Sequence, residues 1–570
     1  ITPGIRTGRI PLSYSQESLW VIDKVWGSLQ YHMPAVLEIN GTLNIPALRS
    51  AIGQLVERHE VLRTVISEED GKAFQTILSE TVWDLDTATC RFDTLQAKQK
   101  YIDEFMRIPF QMDKEPLFRT RLITTATQSH LLLVLMHHIV SDGWSASIFI
   151  KELSALYTAA CTETPHTLQP LPVQYADFAI WQRKYISGQQ LEQQTQFWKN
   201  RLQGVQPIQL QTDFPRPPVQ STNGQRIEHM IDPQLSADIM DACRRQGVTL
   251  YMFLLCAFKT LLMRYTAQQD ICVGTSTAGR LHGELEGLIG YFVNTLAIRS
   301  QVDPQNSFSE QLALIRENLL ECYAHQEVPF EKVVDAVEHT RDLAQNPIFQ
   351  VMFVLLNTPE EGELSLGEAS VKPISIRTDQ TKFDLTLKAE ATGESISLSM
   401  EYCADLFTAE RISAMTQHLV QLLGEVTHNP AQKLQDIRIM GTQEREQVLA
   451  ASKGPVVRFP KDKTVIDLFR NQVDKNPENT AVSFRGKKLT YRDLQQQVSK
   501  AAAFLNTKGI TNGDIVAICM ERSEEMITAI LAIMSAGAAY VPIDPAYPKE
   551  RIDFIIKDTN AKILITDIDT

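Results

Sequence analysis

Short apolar runs and segments of helical spacing alternate along most of the chain, which is the pattern of an α/β protein. The segment PALRSAIGQLVERH, residues 46–59, places Leu48, Ile52, Leu55 and Val56 three or four positions apart, so it predicts an amphipathic helix, and VLRTVIS predicts a following strand. The stretches PLFRTRLITT and SHLLLVLMHHIV predict paired strands, and SASIFIKELSALYTAA predicts the helix that follows them.

A second α/β set begins after a segment rich in proline and polar residues. That segment, residues 171–218, predicts a crossover between two lobes. Beyond it, VTLYMFLLCAFKTLLMRYT predicts a helix, DICVGTSTAGR a strand and loop, SFSEQLALIRENLLECYAHQ a helix, and FQVMFVLLN a strand. The two halves are therefore similar in size and character, although we find no residue-level repeat between them.

A charged and proline-interrupted segment, residues 441–465, predicts a domain junction. After it come a helix (VIDLFRNQVDKNP), a hairpin leading into a helix (TAVSFRGKKLTYRDL), a strand (GDIVAICM) and a helix with a strand (MITAILAIMSAGAAYVPID), as in a doubly wound sheet. The length of 570 residues exceeds that of one hydrophobic core, so we expect two to four folding units. Because Ile1 is not methionine and AKILITDIDT resembles the start of an α/β unit, we expect the sequence to be part of a larger polypeptide.

Composition narrows the class of protein. With 44% hydrophobic and 22% charged residues the chain is typical of a globular protein, and its net charge of −13 disfavours binding to nucleic acid or to an anionic membrane. The eight cysteines are scattered without a CxxC pair, which disfavours a disulfide scaffold and a structural zinc site. The sequence shows neither the apolar core of a signal peptide nor a membrane-spanning run. We therefore expect a cytoplasmic protein.

The stretch LLLVLMHHIVSDGWS, residues 131–145, places polar groups at the end of a buried strand. On a strand His137 and His138 point to opposite faces, and Asp142 is too displaced for a simple metal motif. A single imidazole suits proton transfer near neutral pH, and Gly143 allows a substrate to approach the backbone, which points to acyl transfer. Alternatively, the histidines end the strand and Asp142 caps the next helix. These residues alone leave both interpretations open.

A resemblance to a known family changes this balance. The segment HHIVSDG resembles the HHxxxDG motif of nonribosomal peptide synthetase condensation domains, which are related in fold to chloramphenicol acetyltransferase. Five other segments resemble the remaining core motifs in order: LSYSQESLWVID (12–23), RHEVLRT (58–64), YADFAIW (175–181), IGYFVNTL (289–296) and RDLAQNPIFQVMF (341–353). The sequences of the segments MHHIVSDGWS, FVNTL and RHEVLRT most resemble those of the LCL subtype, which joins an L-configured donor to an L-configured acceptor.

The end of the chain resembles a second family. The segments LTYRDL (489–494) and SAGAAYVPIDPAYPKERI (535–552) resemble the first two core motifs of adenylation domains. The phosphate loop, the specificity pocket and the C-terminal lysine of that family have no counterpart in this sequence, so we expect no adenylation activity from this part.

The two resemblances together imply a fold and a domain order. They imply an α/β protein with two chloramphenicol-acetyltransferase-like lobes that form a V-shaped pseudo-dimer with a central tunnel, plus a partial α/β adenylation N-terminal subdomain. The expected boundaries are residues 1–178 for the N-terminal lobe, 179–440 for the C-terminal lobe, 441–460 for a linker, and 461–570 for the adenylation fragment.

The resemblance also assigns roles to individual residues. His138 matches the catalytic position, and Gly143 matches the glycine beside which the tethered substrate lies. His137 matches a supporting histidine, and Asp142 matches an aspartate in a structural salt bridge, for which we predict Arg63 as the partner. Four further residues are possible tunnel residues, although helix capping, packing or a core hydrogen bond would also explain them: Trp144, Ser145, Asn294 and Gln350. The loop GTSTAGR, residues 274–280, matches a loop that floors the tunnel.

The function implied is amide bond formation between a donor acyl or peptidyl thioester and the α-amine of an acceptor aminoacyl thioester. The chain itself would bind no cofactor, since upstream donor and downstream acceptor carrier domains deliver their phosphopantetheine arms. The rest of the adenylation domain is a third expected partner. The alternatives are a CoA-dependent acyltransferase of the same superfamily and a non-catalytic docking domain. The intact motif disfavours the docking domain, and its histidines disfavour a heterocyclisation domain, in which aspartates replace them.

Overall fold

The computed structural model describes residues 1–570 apart from 7, 28, 79–82, 338–341, 343, 357–365, 375–379, 456 and 568–570. The chain divides into two compact units, Ile1–Val448 and Leu449–Thr570. Part of the predicted motif at residues 341–353 lies outside the described residues.

The first half of the larger unit is built around one mixed sheet. Its elements are β1 (Ile10–Pro11), α1 (Tyr14–Trp26), β2 (His32–Asn40), α2 (Ile45–Arg58), β3 (Thr64–Glu69), β4 (Lys72–Ile77), β5 (Asp86–Thr89), α3 (Leu95–Met106), β6 (Phe118–Ala126), β7 (Ser129–His137), α4 (Gly143–Thr162), α5 (Tyr175–Tyr185) and α6 (Gly188–Leu202). Strand β7 pairs antiparallel with β2 on one side and β6 on the other, and β5 extends the sheet parallel to β6. The apolar run 131–136 is buried along its whole length, as expected of a central strand.

The second half contains a six-stranded mixed sheet. Its elements are β8 (Gly224–Met230), α7 (Pro233–Gln246), α8 (Leu250–Thr266), β9 (Asp270–Thr277), β10 (Asn294–Gln301), α9 (Phe308–Ala324), α10 (Phe330–Val337), β11 (Val351–Leu356), β12 (Ser370–Pro373), β13 (Leu385–Thr392), β14 (Ser395–Cys403), α11 (Ala409–His428) and α12 (Thr442–Ser452). The strand order is β10-β9-β11-β13-β14-β8. Among the described residues no single helix could cross a membrane, although the bent pair α7 and α8 together meets the length and composition required.

Helix starts in both halves follow from local capping chemistry. Asn44 accepts a hydrogen bond from the backbone N–H of Ala47 at the start of α2, where proline occupies the first turn. At the start of α9, Ser307 and Glu310 form a reciprocal capping box. These caps satisfy backbone donors that the first helical turn leaves without partners.

The second half of the larger unit contributes segments to the first. Strand β12 leaves the second half and pairs antiparallel with β2, so it forms the edge of the first sheet. Leu285, Leu288, Ile289 and Phe292 also pack in the first hydrophobic core. The predicted boundary at residue 178 places residues 285–292 and 366–373 in the C-terminal lobe. These segments pack instead against the core and sheet of the N-terminal lobe.

Two segments contain more regular structure than their composition indicates. The crossover, residues 171–218, contains α5 and α6, and Trp198 on α6 is buried in the second core. The junction that begins at residue 441 contains α12. The prolines lie outside these helices, whereas α6 and α12 are themselves rich in polar residues, so composition alone does not reveal them.

The smaller unit has the predicted α/β alternation. Its elements are α13 (Val465–Lys475), β15 (Thr480–Phe484), β16 (Lys487–Thr490), α14 (Tyr491–Thr507), β17 (Ile515–Cys519), α15 (Glu524–Ser535), β18 (Ala539–Ile543), α16 (Lys549–Thr559) and β19 (Ile563–Thr566). Strand β17 lies between β18 and β19, and both neighbours pair parallel to it.

A lysine lies fully buried in the second core. The ammonium of Lys259 on α8 donates to the carbonyl of Ile298 at 2.6 Å and to the hydroxyl of Ser300 at 2.7 Å. Burial lowers the pKa of this lysine to about 8, because a low-dielectric interior disfavours the charged form.

The buried lysine predicts a pH-dependent stability. Since its native pKa is depressed, the unfolded state binds more protons between about pH 8 and 10.4, and the stability due to this group rises as the pH increases through that window. Relative to Lys259→Met, the wild type should gain up to about 3 kcal/mol of unfolding free energy over that window. All six tryptophans lie in residues 1–448, so urea unfolding followed by tryptophan fluorescence reports on this unit. A pH-independent difference between the two proteins would contradict the prediction.

Candidate active site

A cavity of about 3170 Å³ lies in the larger unit and is lined by both halves. It contacts the end of β7 and the start of α4 on one side and β9, β11 and β13 on the other. It opens to solvent, since its lining includes Leu95, which is 85% exposed, and Val219, which is 62% exposed. The residues that line the cavity include Tyr31, His138, Gly143, Trp144, Tyr291, Gln350 and Lys382.

The turn after β7 directs one of the two histidines into this cavity. His137 ends the strand, is fully buried, and accepts a hydrogen bond at Nδ1 from the backbone N–H of Ile139 at 3.1 Å. A short 3-10 helix, His138–Val140, follows at once. The buried ring therefore caps the turn, and the next side chain, His138, faces the cavity.

The imidazole of His138 is held in one orientation. Its Nδ1 lies 2.8 Å from the carbonyl oxygen of Ser141, so Nδ1 carries the proton and Nε2 is the acceptor in the neutral ring. The ring of Tyr291 lies edge-on with centroids 4.8 Å apart. The pKa of His138 is lowered to about 4, mainly by burial and also by the charge of Lys382, while Asp142 opposes the shift. At neutral pH this ring is therefore uncharged.

Asp142 is the junction between the turn and α4. It is the N-cap of the helix, and its Oδ1 accepts from the backbone N–H of Ser145 at 2.9 Å, as the capping interpretation predicts. The same fully buried carboxylate pairs with Arg280, whose Nη2 lies 3.0 Å from Oδ1, and accepts from the backbone N–H of Phe292 at 3.1 Å.

The prediction that Arg63 is the salt-bridge partner of Asp142 is wrong. Arg63 donates to the carbonyl of Leu78 at 2.5 Å and lies 4.0 Å from Glu60, next to it on the surface of the first half. Arg63 precedes β3, and its guanidinium is satisfied there. The residue that pairs with Asp142 and supports the site is therefore Arg280 of the second half.

A tight loop fixes Arg280 in this position. Gly279 has a φ of +64°, and a Cβ there would lie 1.9 Å from the carbonyl oxygen of Phe292. Arg280 also donates through Nη1 to the carbonyls of Leu285 and Leu288 at 2.6 and 2.7 Å. In the sequence, an arginine directly after a glycine at the end of GTSTAGR indicates a charged group on a tight loop. A local pattern of this kind does not identify the carboxylate with which the arginine pairs.

Gly143 and Trp144, the two residues that follow Asp142, line the cavity. Gly143 is exposed, and a Cβ built on it would meet no atom within 4 Å, so the space in front of it is open. Trp144 donates from Nε1 to the carbonyl of Glu286 at 3.0 Å. Ser145, in contrast, is fully buried, and its hydroxyl bonds Asp142 and the backbone of Gly290, so its prediction as a tunnel residue is wrong.

The two polar residues predicted in apolar strands are both hydrogen-bonded. Asn294 donates to the carbonyls of Gln326 and Val328, each at 2.7 Å, and it does not line the main cavity. These bonds fit the alternative interpretation, a core hydrogen bond, and they join β10 to the segment before α10. Gln350 does line the cavity, but its side-chain carbonyl accepts from the backbone N–H of Ile208 at 2.9 Å.

Comparison with known proteins identifies the family. Residues 6–449 match the family described as "Condensation domain". The chain belongs to the condensation-domain family. Residues 469–570 match the family described as "AMP-binding enzyme", so part of an adenylation domain follows the condensation domain. Condensation domains of nonribosomal peptide synthetases are peptide-bond-forming acyltransferases.

The relatives of this condensation domain are segments of large synthetases. The chain is 36% identical over 560 residues to gramicidin S synthase 2 of Brevibacillus brevis, a match that covers 98% of this chain and 12% of that protein. It is 36% identical over 567 residues to surfactin synthase subunit 2 of Bacillus subtilis strain 168, covering 99% of this chain and 16% of that protein. The chain thus spans less than a fifth of either relative.

A solved structure supports the fold. A four-domain nonribosomal peptide synthetase, holo-AB3403 bound to AMP and glycine, superposes with a TM-score of 0.83 at 23% identity, covering 99% of this chain and 44% of that one.

The buried ion pair gives a prediction that separates the two candidate partners of Asp142. Arg280→Met leaves a buried carboxylate without its counter-ion, so it should lower the free energy of unfolding by about 3–5 kcal/mol. Arg63→Met is the matched control and should cost about 1 kcal/mol, because its carbonyl bond is partly exposed. Urea unfolding followed by tryptophan fluorescence compares the two. Equal losses would contradict the assignment of Arg280.

Proposed function

We propose that this condensation domain joins a donor acyl or peptidyl thioester to the α-amine of an acceptor aminoacyl thioester, each tethered to a carrier domain by phosphopantetheine. The observation that carries the proposal is that a neutral, oriented imidazole, His138, lines a large cavity built by both halves.

The size of the cavity favours two tethered reactants over one small substrate. Its volume of about 3170 Å³ exceeds the about 300–1,000 Å³ of ordinary small-molecule pockets. Two extended arms that meet inside one protein need such space, and each must leave a solvent-exposed opening for its carrier. Holding both reactants in line converts a bimolecular reaction into an effectively unimolecular one, which accounts for much of the expected acceleration.

The pKa of His138 favours a hydrogen-bonding role over that of a strong base. An α-ammonium has a pKa near 8, so transferring its proton to an imidazole with a pKa of about 4 is uphill by about 5 kcal/mol. The Nε2 atom instead accepts a hydrogen bond from the neutral amine and aligns its lone pair with the thioester carbon. The C–N bond then forms, the C–S bond breaks, and the thiolate takes the proton that the nitrogen loses.

Several finer features belong to the same proposal. The two sheets and the cavity between them support two chloramphenicol-acetyltransferase-like lobes in a V-shaped pseudo-dimer with a tunnel. The motif wording supports the LCL subtype. The partners are an upstream and a downstream carrier domain and the remainder of the adenylation domain, in an assembly line for a peptide natural product. Eight free cysteines support a reducing, cytoplasmic location.

Substitution of the imidazole tests the proposed function. His138→Ala should reduce formation of the condensed product by at least about 100-fold, because the acceptor for the amine is lost. The fold should persist, since the side chain contributes one hydrogen bond, to Ser141. The surface variant His166→Ala is the control and should retain full activity. Intact-mass analysis of two carriers preloaded with a panel of acyl and aminoacyl groups measures the product.

The donor arms of that assay separate the alternatives. Product from carrier-bound donors supports the proposal, whereas product from acyl-CoA donors alone would indicate the CoA-dependent alternative. Undiminished product from His138→Ala would remove the imidazole from the mechanism, and carrier binding without product from any donor would indicate a docking domain.

Because the space at Gly143 is open, a larger side chain there should reduce activity while leaving stability almost unchanged. Gly143→Val adds a side chain to a position where nothing blocks a Cβ, so the melting temperature should change by no more than a few degrees. The added methyl groups would occupy the space beside which the tethered thioester lies, so condensation should fall by at least about tenfold. A variant with full activity would contradict the placement of the substrate beside this glycine.

A further inference from the structure

The cavity contains a lysine that the mechanism above does not use. The ammonium of Lys382 lies 4.0 Å from the centroid of the Tyr31 ring, and that ring lies edge-on to His138 with centroids 6.4 Å apart. Lys382 therefore lies in the same region of the cavity wall as the imidazole, on the loop before β13. Its charge is close enough to lower the pKa of His138.

This ammonium has no carboxylate partner among the described residues. Glu401, whose charge acts on Lys382, already pairs with Lys388 at 2.8 Å. The ammonium instead lies over the face of Tyr31, an aromatic surface that attracts a cation without neutralising it. A desolvated cation without a counter-ion destabilises the folded protein, so a functional role is the reasonable explanation for its retention.

The backbone that carries Lys382 is held firmly in place. Its carbonyl accepts from Gln220 Nε2 at 2.8 Å and from Asn346 Nδ2 at 2.7 Å. Two residues on, Asp384 pairs with Arg216, whose Nη1 lies 3.0 Å away. This anchoring and the contact between the ammonium and Tyr31 together position the cation before any substrate arrives, as required of a group that stabilises a transition state.

We infer that Lys382 stabilises the negative charge that develops on the carbonyl oxygen of the donor thioester during attack by the acceptor amine. This inference rests on the proposed function. When the nitrogen lone pair forms the C–N bond, the π electrons of the carbonyl move to oxygen. The oxyanion then reforms the carbonyl as the C–S bond breaks, and the thiolate takes the proton from nitrogen. Lys382 interacts with the charge of the intermediate and exchanges no atoms.

The same lysine keeps the imidazole neutral. Among the described residues, Lys382, Asp142, His137 and the rings of Tyr31 and Tyr291 lie next to His138, and Asp142 is neutralised by Arg280. A buried carboxyl of the same cavity, Glu331, acts on both tyrosines, and burial raises its pKa. One cation would thus serve two purposes, because it attracts the oxyanion and disfavours a protonated ring that could not accept from the amine.

The first test compares charge-removing and charge-retaining variants. In single-turnover assays with preloaded carriers, Lys382→Met should lower the product-forming rate constant by about 10- to 1,000-fold with unchanged carrier KM. Lys382→Arg should restore at least a tenth of the rate. Lys508→Met is the matched control, since its ammonium also lies over an aromatic ring, that of Phe504 at 5.4 Å, but in the smaller unit and outside the cavity lining. It should stay within about threefold of the wild type.

The pH profile provides a readout that a purely structural role would not change. The pKa of Lys382 is lowered to about 8, mainly by burial; the charge of Glu401 opposes the shift and that of Lys388 adds to it. The wild-type rate constant should therefore decline above about pH 8. With Lys382→Arg this decline should disappear, because guanidinium stays protonated. Lys382→Gln, which keeps a long polar side chain over Tyr31, replaces the methionine variant if tryptophan fluorescence shows the latter to be misfolded.

A second measurement does not require catalysis. Histidine-labelled protein is titrated by NMR, and the His138 signal is assigned by its absence in His138→Gln. The pKa of that ring should rise toward 6.5 in Lys382→Met and stay unchanged in Lys508→Met. An active wild type with Lys382→Met at full rate would overturn the inference. An inactive wild type would instead refute the proposed function, and an unmoved His138 titration would then still overturn the electrostatic coupling.

Discussion

The arrangement of this site depends on one buried ion pair between the two halves of the larger unit. Asp142 begins α4, and Arg280 ends a loop of the second half, so their contact fixes the helix start against that loop. Gly143 and His138 lie on either side of this anchor along the chain. Because both charges are buried, the pair is stable only as a pair, and the alternative to its formation is an uncompensated charge in the interior. The cavity walls are consequently aligned with each other by a contact with a strong geometric preference.

Burial also determines the charge states of the titratable groups around the cavity. An imidazole, two tyrosines and a lysine share one poorly solvated region, and each is shifted toward its neutral form. Such a site suits a reaction whose reactants are already activated. A thioester and a neutral amine need orientation and a small number of fixed dipoles rather than a powerful acid or base.

Much of the fold could be predicted from periodicity, because strands such as β7 and helices such as α8 are long and regular in their apolar pattern. The helices α5, α6 and α12 were not predicted, because they lie within proline-rich or charged surroundings and because α12 has no apolar face and buries no residue. At the site, His138 and Gly143 could be selected from the motif, whereas Arg280, Tyr291 and Lys382 come from distant segments. Ion-pair partners separated by 138 positions are chosen by tertiary packing, which also explains why the nearer motif residue, Arg63, was preferred wrongly.

The contributed strand β12 has a consequence for how the protein is made. Residues Ser370–Pro373 complete the edge of a sheet whose other strands end at residue 137. While the chain emerges from the ribosome, the backbone groups of β2 on that side lack their native partner until residue 373 has been synthesised. The first sheet would therefore need protection during translation, and truncated chains that end between the two halves would leave an adhesive edge open to intermolecular pairing.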